Sequence, residues 1–241
     1  MRLGLIVYGS LDTISGGFLY DRKLVQYLRA QGDQVEVISR PWLAYGRTLL
    51  DNFSYSLLSR LRRAHFDLLL QDELVHPAFI CLNRRLRRRV SYPIISIVHH
   101  LLSSEARPVW QNRLYRLVER RYLSSVDGFV FVSRTIRTEV EKLVGHCRPA
   151  VLAYPGGDRL AGALTPLEIA ARVAAPGPLK IISVASLIPR KELHTLLTAL
   201  AGLPRDGWRL TVVGNLSLDP PYVRAIRRQN EALGLTSQVS L

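Results

Sequence analysis

Two adjacent cations, Arg190 and Lys191, follow the apolar stretch Leu179–Val184 across a short polar turn. They precede a helical pattern whose apolar positions are Leu193, Leu196, Leu197 and Leu200. The stretch is expected to be a buried strand, so the turn sets both cations at the mouth of a helix. Like charges beside the positive end of a helix dipole raise the free energy unless an anion offsets them. The chemistry implied is capture of a phosphate or a carboxylate. Gly16 and Gly17, after Ser15, stand where the backbone turns tightly and exposes its N–H groups at another helix start, which suits a ligand oxygen or phosphate.

His99 and His100 end the run Ile94–Val98, at the carboxyl end of an expected parallel strand, where open α/β folds place ligands. Adjacent residues of an extended segment point to opposite sides, so at most one of them faces a cleft. The other reading for either ring is packing under a loop with its nitrogens satisfied; His99 is assigned to the cleft. Asp72, Glu73 and His76 close the run Phe66–Leu70 just before Pro77. The acids either cap the helix that starts there or bind the hydroxyls of an acceptor. Their spacing does not show the convergence a metal ion needs, and no metal site is assigned.

The elements that must position these groups are short apolar runs alternating with helical patterns. Strands are expected at Leu3–Tyr8, Val35–Ser39, Phe66–Leu70, Ile94–Val98, Phe129–Val132 and Ala150–Ala153, with helices near Gly17–Ala30, Arg47–Arg63, Pro77–Arg88, Val109–Leu123 and Ile136–Leu143. Continuous apolar strands mean that both sheet faces are covered, hence an α/β, doubly wound parallel sheet of Rossmann-like type over residues 1–165. An Ala-, Gly- and Pro-rich stretch gives a linker at 166–178. The pattern restarts over 179–241 with strand, helix, strand, helix and the opening of a third strand. Three parallel strands with an exposed edge make a poor independent fold, so this second Rossmann-like domain is expected to be incomplete.

Of the 241 residues, 48% are hydrophobic, enough for a core. No apolar run reaches the roughly 20 residues of a spanning helix, and the first ten residues lack the h-region of a signal peptide, so a cytoplasmic location is expected. Cys81 and Cys147 lack metal-site or disulfide spacing and are expected to be buried or half-buried free thiols. The net charge of +14 draws the chain toward polyanions. Its arginines cluster at 60–63, 84–89 and 113–121, and in the last cluster Arg113, Arg116 and Arg120 share one helical face while Trp110, Leu114, Leu117 and Val118 share another. This basic amphipathic helix is either a solvated face or a surface that docks on the inner face of an anionic membrane. Nucleic acid is disfavoured: the arginine runs are not interleaved with aromatics, and no helix-turn-helix or RNP pattern appears. A dinucleotide cofactor is disfavoured as well, because no G-x-G-x-x-G is present and Ser39–Arg40 stand where an NAD-binding acid belongs.

Taken together, the Gly16–Gly17 loop, the histidine pair, Phe131-Val-Ser-Arg-Thr135, Tyr154-Pro-Gly-Gly-Asp158 and the Arg190–Lys191 turn resemble retaining GT-B glycosyltransferases of the family 4 type, over essentially the whole chain. The resemblance implies a hexosyltransferase-type enzyme that moves a sugar from a nucleoside-diphosphate sugar to an acceptor hydroxyl, with a glycan or lipid-linked acceptor and no tightly bound cofactor. It further implies that Gly16, Gly17, Arg190 and Lys191 bind the donor phosphates, that Arg190, Lys191 and His99 act in catalysis, and that Asp72, Glu73 and His100 contact the acceptor. The cleft between the two domains would hold the substrates. Two positions depart from the family pattern: Ser186 replaces an arginine whose role Arg190 would take, and Glu192 replaces a glycine. The paired glutamates that hold the donor in this family fall beyond Leu241, so the chain is expected to be inactive as it stands. The competing functions are a basic nucleic-acid-binding module and another GT-B nucleotide-sugar enzyme such as an epimerase.

Overall fold

The computed structural model describes residues 1–145, 148–157 and 162–241; Cys147 and Asp158 lie outside the described residues. The chain divides into two compact units, Met1–Arg159 and Leu160–Leu241.

In the first unit β1 (Arg2–Tyr8), α1 (Gly16–Ala30), β2 (Gln34–Arg40), α2 (Tyr45–Thr48), α3 (Tyr55–Arg63), β3 (Leu68–Asp72), α4 (His76–Arg87), β4 (Ile94–Val98), α5 (Val109–Leu123), β5 (Gly128–Phe131), α6 (Arg134–Val144) and β6 (Ala150–Leu152) follow one another. The six strands are all parallel, in the order β2-β1-β3-β4-β5-β6. Leu3, Leu5 and Val7 of β1 pack with Phe18 and Val25 on one face, while Ile6 and Tyr8 pack with Leu57, Leu61 and Phe79 on the other. Both faces are therefore buried, which explains the uninterrupted apolar run. The strand order reverses between β1 and β3, so the crevice for a ligand opens at their carboxyl ends.

The expected helix over 47–63 is divided in two. A 3-10 turn, Leu49–Phe53, separates α2 from α3, and Ser54 restarts the helix by accepting a hydrogen bond from the Leu57 amide with its own backbone extended. Apolar spacing carries across such a break, whereas a serine cap halts the backbone. Cys81, expected to be at least half-buried, is exposed because α4 turns it away from the core formed by Phe79, Leu82 and Leu86.

The second unit contains α7 (Pro166–Ala174), β7 (Leu179–Val184), α8 (Leu193–Ala201), β8 (Trp208–Val213), α9 (Pro220–Ala232) and β9 (Val239–Ser240), with a three-stranded parallel sheet ordered β7-β8-β9. Thr165 and Glu168 form a capping box at the start of α7. Leu193, Leu197 and Leu200 of α8 and Val223 and Ile226 of α9 cover one face, around Trp208 and Leu210. The other face is open, so β7 is not the buried strand its sequence predicts: Ile182 is 66% and Val184 71% exposed. Gly214 is obligatory where β8 ends, because a Cβ there would lie 1.8 Å from the Ala185 carbonyl oxygen. Its absence lets the two strand ends approach beside the loop that carries Arg190 and Lys191.

Candidate active site

In the first unit the site assembles at the reversal between β1 and β3. Ser15 caps α1 by accepting from the Phe18 amide at 3.2 Å, so Gly16 and Gly17 open the helix with amides that have no partner inside it. No atom comes within 4 Å of a Cβ built on Gly16, and one on Gly17 would meet the His99 ring at 3.5 Å. The glycine loop and His99 are thus neighbours.

His99, beyond the end of β4, lies edge-on to Tyr20 and bonds through Nε2 to Asp21 Oδ1 at 3.0 Å. Its side chain is 14% exposed, and Asp21 is fully buried. Burial of the ring opposes protonation, but the hydrogen bond and charge of Asp21, with Asp72 and Glu73 nearby, outweigh it and raise the His99 pKa above the ordinary value. Asp72 is buried and caps the turn Glu73–Val75 through the Leu74 amide at 2.9 Å. Burial, and then repulsion from Asp21, push its carboxyl well above the usual range. Ligand atoms of Asp21, Asp72 and His99 all lie within 4.8 Å of one another, the only such convergence among the described residues. A shared proton or a cation would suit that spacing, and His99 Nε2 is already committed to a hydrogen bond.

Glu73 is buried and its two carboxylate oxygens have no hydrogen-bond partner. Burial, followed by the nearby Glu119, raises its pKa well above normal. His76 takes the opposite course. Its Nδ1 meets the Glu73 carbonyl at 3.0 Å and its Nε2 the Tyr45 hydroxyl at 2.9 Å, and burial lowers its pKa to about 4. His100 turns away from His99, as alternation along an extended segment requires, and bonds Glu105 at 3.2 Å, next to the Glu105–Arg107 ion pair. Asp72 and Glu73 therefore lie beneath the surface, near the Asp21–His99 pair, and His100 stands on another side.

Asp21 is the residue that sequence reasoning passes over. Its spacing four residues after Gly17 puts the two on one helix face, but spacing alone does not mark the acid as buried.

In the second unit Arg190 and Lys191 occupy the 3-10 turn Pro189–Lys191 between β7 and α8, and both are exposed. Glu192 follows with φ of 56°, the one left-handed non-glycine among the described residues. Glycine adopts that conformation freely, which accounts for a glycine preference at this place. The Glu192 carboxylate accepts from the Thr195 hydroxyl at 2.8 Å and lies 3.3 Å from His194 Nε2, so it is engaged along its own helix.

The family model described as Glycosyltransferase Family 4 matches residues 16–159, more than half of the chain. Among solved structures, Anabaena Alr3699/HepE in complex with UDP is 18% identical over 100% of this chain and 68% of its own, with a TM-score of 0.65. The same protein with UDP-glucose gives 0.64 at 19% identity, with the same coverage of both chains. A glycosyltransferase from Rickettsia africae ESF-5 gives 0.64 at 14% identity, over 99% of this chain and 67% of its own. At such identities the likeness establishes the GT-B arrangement of Rossmann-like sheets and helices. The curated proteins include no sequence match to this chain.

Proposed function

Because the chain belongs to Glycosyltransferase Family 4, we propose that it moves a sugar from a nucleoside-diphosphate sugar to an acceptor hydroxyl with retention at the anomeric carbon. The observation that carries this reading is the exposed Arg190–Lys191 pair at the carboxyl end of a parallel strand. The acceptor oxygen forms a bond to the anomeric carbon as the bond to the diphosphate breaks, and the leaving group takes the electron pair. Arg190 and Lys191 stabilise the charge growing on it, an interaction stronger in the transition state than before it and therefore catalytic. The Gly16 and Gly17 amides add donors for phosphate oxygens, and His99 beside them serves the transferred sugar. Asp72, Glu73 and His100 have the acceptor side, the first two through the buried network around His99. A uridine nucleotide is the first donor to try, since the Anabaena neighbour was solved with UDP and UDP-glucose. No resident cofactor enters the scheme.

The acceptor in this reading is glycan or lipid-linked and is met at an anionic membrane. Helix α5 supports that part: Trp110, Leu114 and Leu117 are 69%, 50% and 45% exposed, and Arg113, Arg116 and Arg120 are exposed around them. Apolar and cationic side chains together on an open helix suit an interfacial position. No helix among the described residues is long and apolar enough to cross a membrane.

The test is sugar transfer by the protein over a panel of nucleoside-diphosphate sugars, with the anomeric configuration of the product read by NMR. Transfer with retention is expected, and Lys191→Ala should lower kcat/KM by about two orders of magnitude. Inversion, or a Lys191→Ala enzyme as active as the parent, would refute the reading.

A further inference from the structure

Asp21 has no part in the proposed transfer, yet it is fully buried on the first turns of α1 and directed at the one histidine beside the glycine loop. A carboxylate is costly to bury unless a partner repays its lost hydration. Here the partner is His99, and it satisfies only Oδ1; Oδ2 has no hydrogen bond among the described residues. The groups facing the ring are Asp21 and Tyr20 from α1, Asp72 from the end of β3, Glu73 from the turn that follows, and the Gly17 backbone. Three buried acids thus surround one imidazole.

We propose that Asp21 is the positioning residue of His99: it fixes the ring through Nε2 and holds it against Gly17. His99 then meets the bound sugar or phosphate in one orientation, set before the ligand arrives. That last step rests on the glycosyltransferase reading; the Asp21–His99 pair does not. Orientation by a second carboxylate is how imidazoles are commonly fixed in one tautomer. Asp72 holds its own place through the Leu74 amide and keeps a second acid near the ring.

The experiment has two arms. In the first, nitrogen and carbon NMR of the ring follow His99 in the histidine-labelled 241-residue chain, with the signal assigned by its loss in His99→Gln. Asp21→Asn should move the midpoint of the His99 titration down, because it removes the carboxylate that raises it. A His99 midpoint at or below that of a free imidazole in the unmodified chain would overturn the proposal without any variant having to fold. So would a ring signal that vanishes on adding Mn2+, which would place a cation in the cluster. In the second arm, Asp21→Asn should lower kcat at least tenfold with the donor KM little changed, and Asp21→Glu should recover part of it. Parental kcat in Asp21→Asn would overturn the positioning role. A raised His99 titration together with no sugar transfer by the parent would leave the pair standing and remove the glycosyltransferase reading instead.

Discussion

His76 and His99 are both held beside buried acids, yet their protonation equilibria move in opposite directions. His76 bonds to a carbonyl and a phenol; burial outweighs the Glu119 charge and the carbonyl, both of which favour the charged ring, and its pKa falls to about 4. His99 bonds to a carboxylate, which overcomes burial. The consequences for stability have opposite signs. The neutral His76 contributes stability that is complete above the unfolded value near 6.5 and is lost as pH falls toward 4, about 3 kcal/mol over that interval. The His99 pair contributes fully below 6.5 and is lost as pH rises through its elevated folded value. Thermal unfolding followed from pH 4 to 9 should therefore show a shallower acid limb in His76→Gln and a shallower alkaline limb in His99→Gln. An acid limb of His76→Gln parallel to that of the parent would show that the ring is protonated in the fold. At this scale the two histidines and the acids before Pro77 were legible in the sequence, because strand ends and the reversal of strand order dictate where ligands gather. Asp21 was not, since a single acid inside a helix reads as solvated until the partner 78 residues away is known.

At the scale of elements, α8 begins with a residue that works against its own backbone. Glu192 sits at φ 56°, where a side chain costs about 1–2 kcal/mol, and its contacts to Thr195 and His194 are on the surface, where such pairs contribute a few tenths. The backbone term is the larger, so Glu192→Gly should raise the unfolding free energy of the second unit by about 1 kcal/mol in a urea titration. Destabilisation by Glu192→Gly would show that the side-chain contacts dominate. Ser54 acts in the reverse sense: Ser54→Ala should lower stability by about 1 kcal/mol, because it removes the cap of α3. The alternation of strands and helices was readable from apolar runs, and the long pattern from 47 to 63 looked like one helix because apolar spacing survives the turn at Leu49–Phe53. The strand β7 was read as buried because its composition matches a doubly covered strand, whereas coverage depends on which helices pack on the sheet, a property no local window contains.

At the scale of the molecule, the charge of +14 is distributed so that one helix combines it with exposed apolar side chains. Each arginine near an anionic surface contributes about 1 kcal/mol at low salt, so replacing Arg113, Arg116 and Arg120 together by glutamine should weaken binding to anionic vesicles about a hundredfold, and rising salt should weaken the parent. Co-sedimentation with anionic and neutral vesicles checks this; equal binding to both, or tighter binding to DNA of matched charge, would favour the nucleic-acid reading. The most direct test of the account is calorimetric titration of UDP into the chain and into Arg190→Ala and Lys191→Ala variants. Saturable binding is expected, weakened about tenfold or more by each substitution, the scale of one charge-assisted hydrogen bond. A double variant that binds UDP as tightly as the parent would contradict the assignment of these two cations to the donor phosphates.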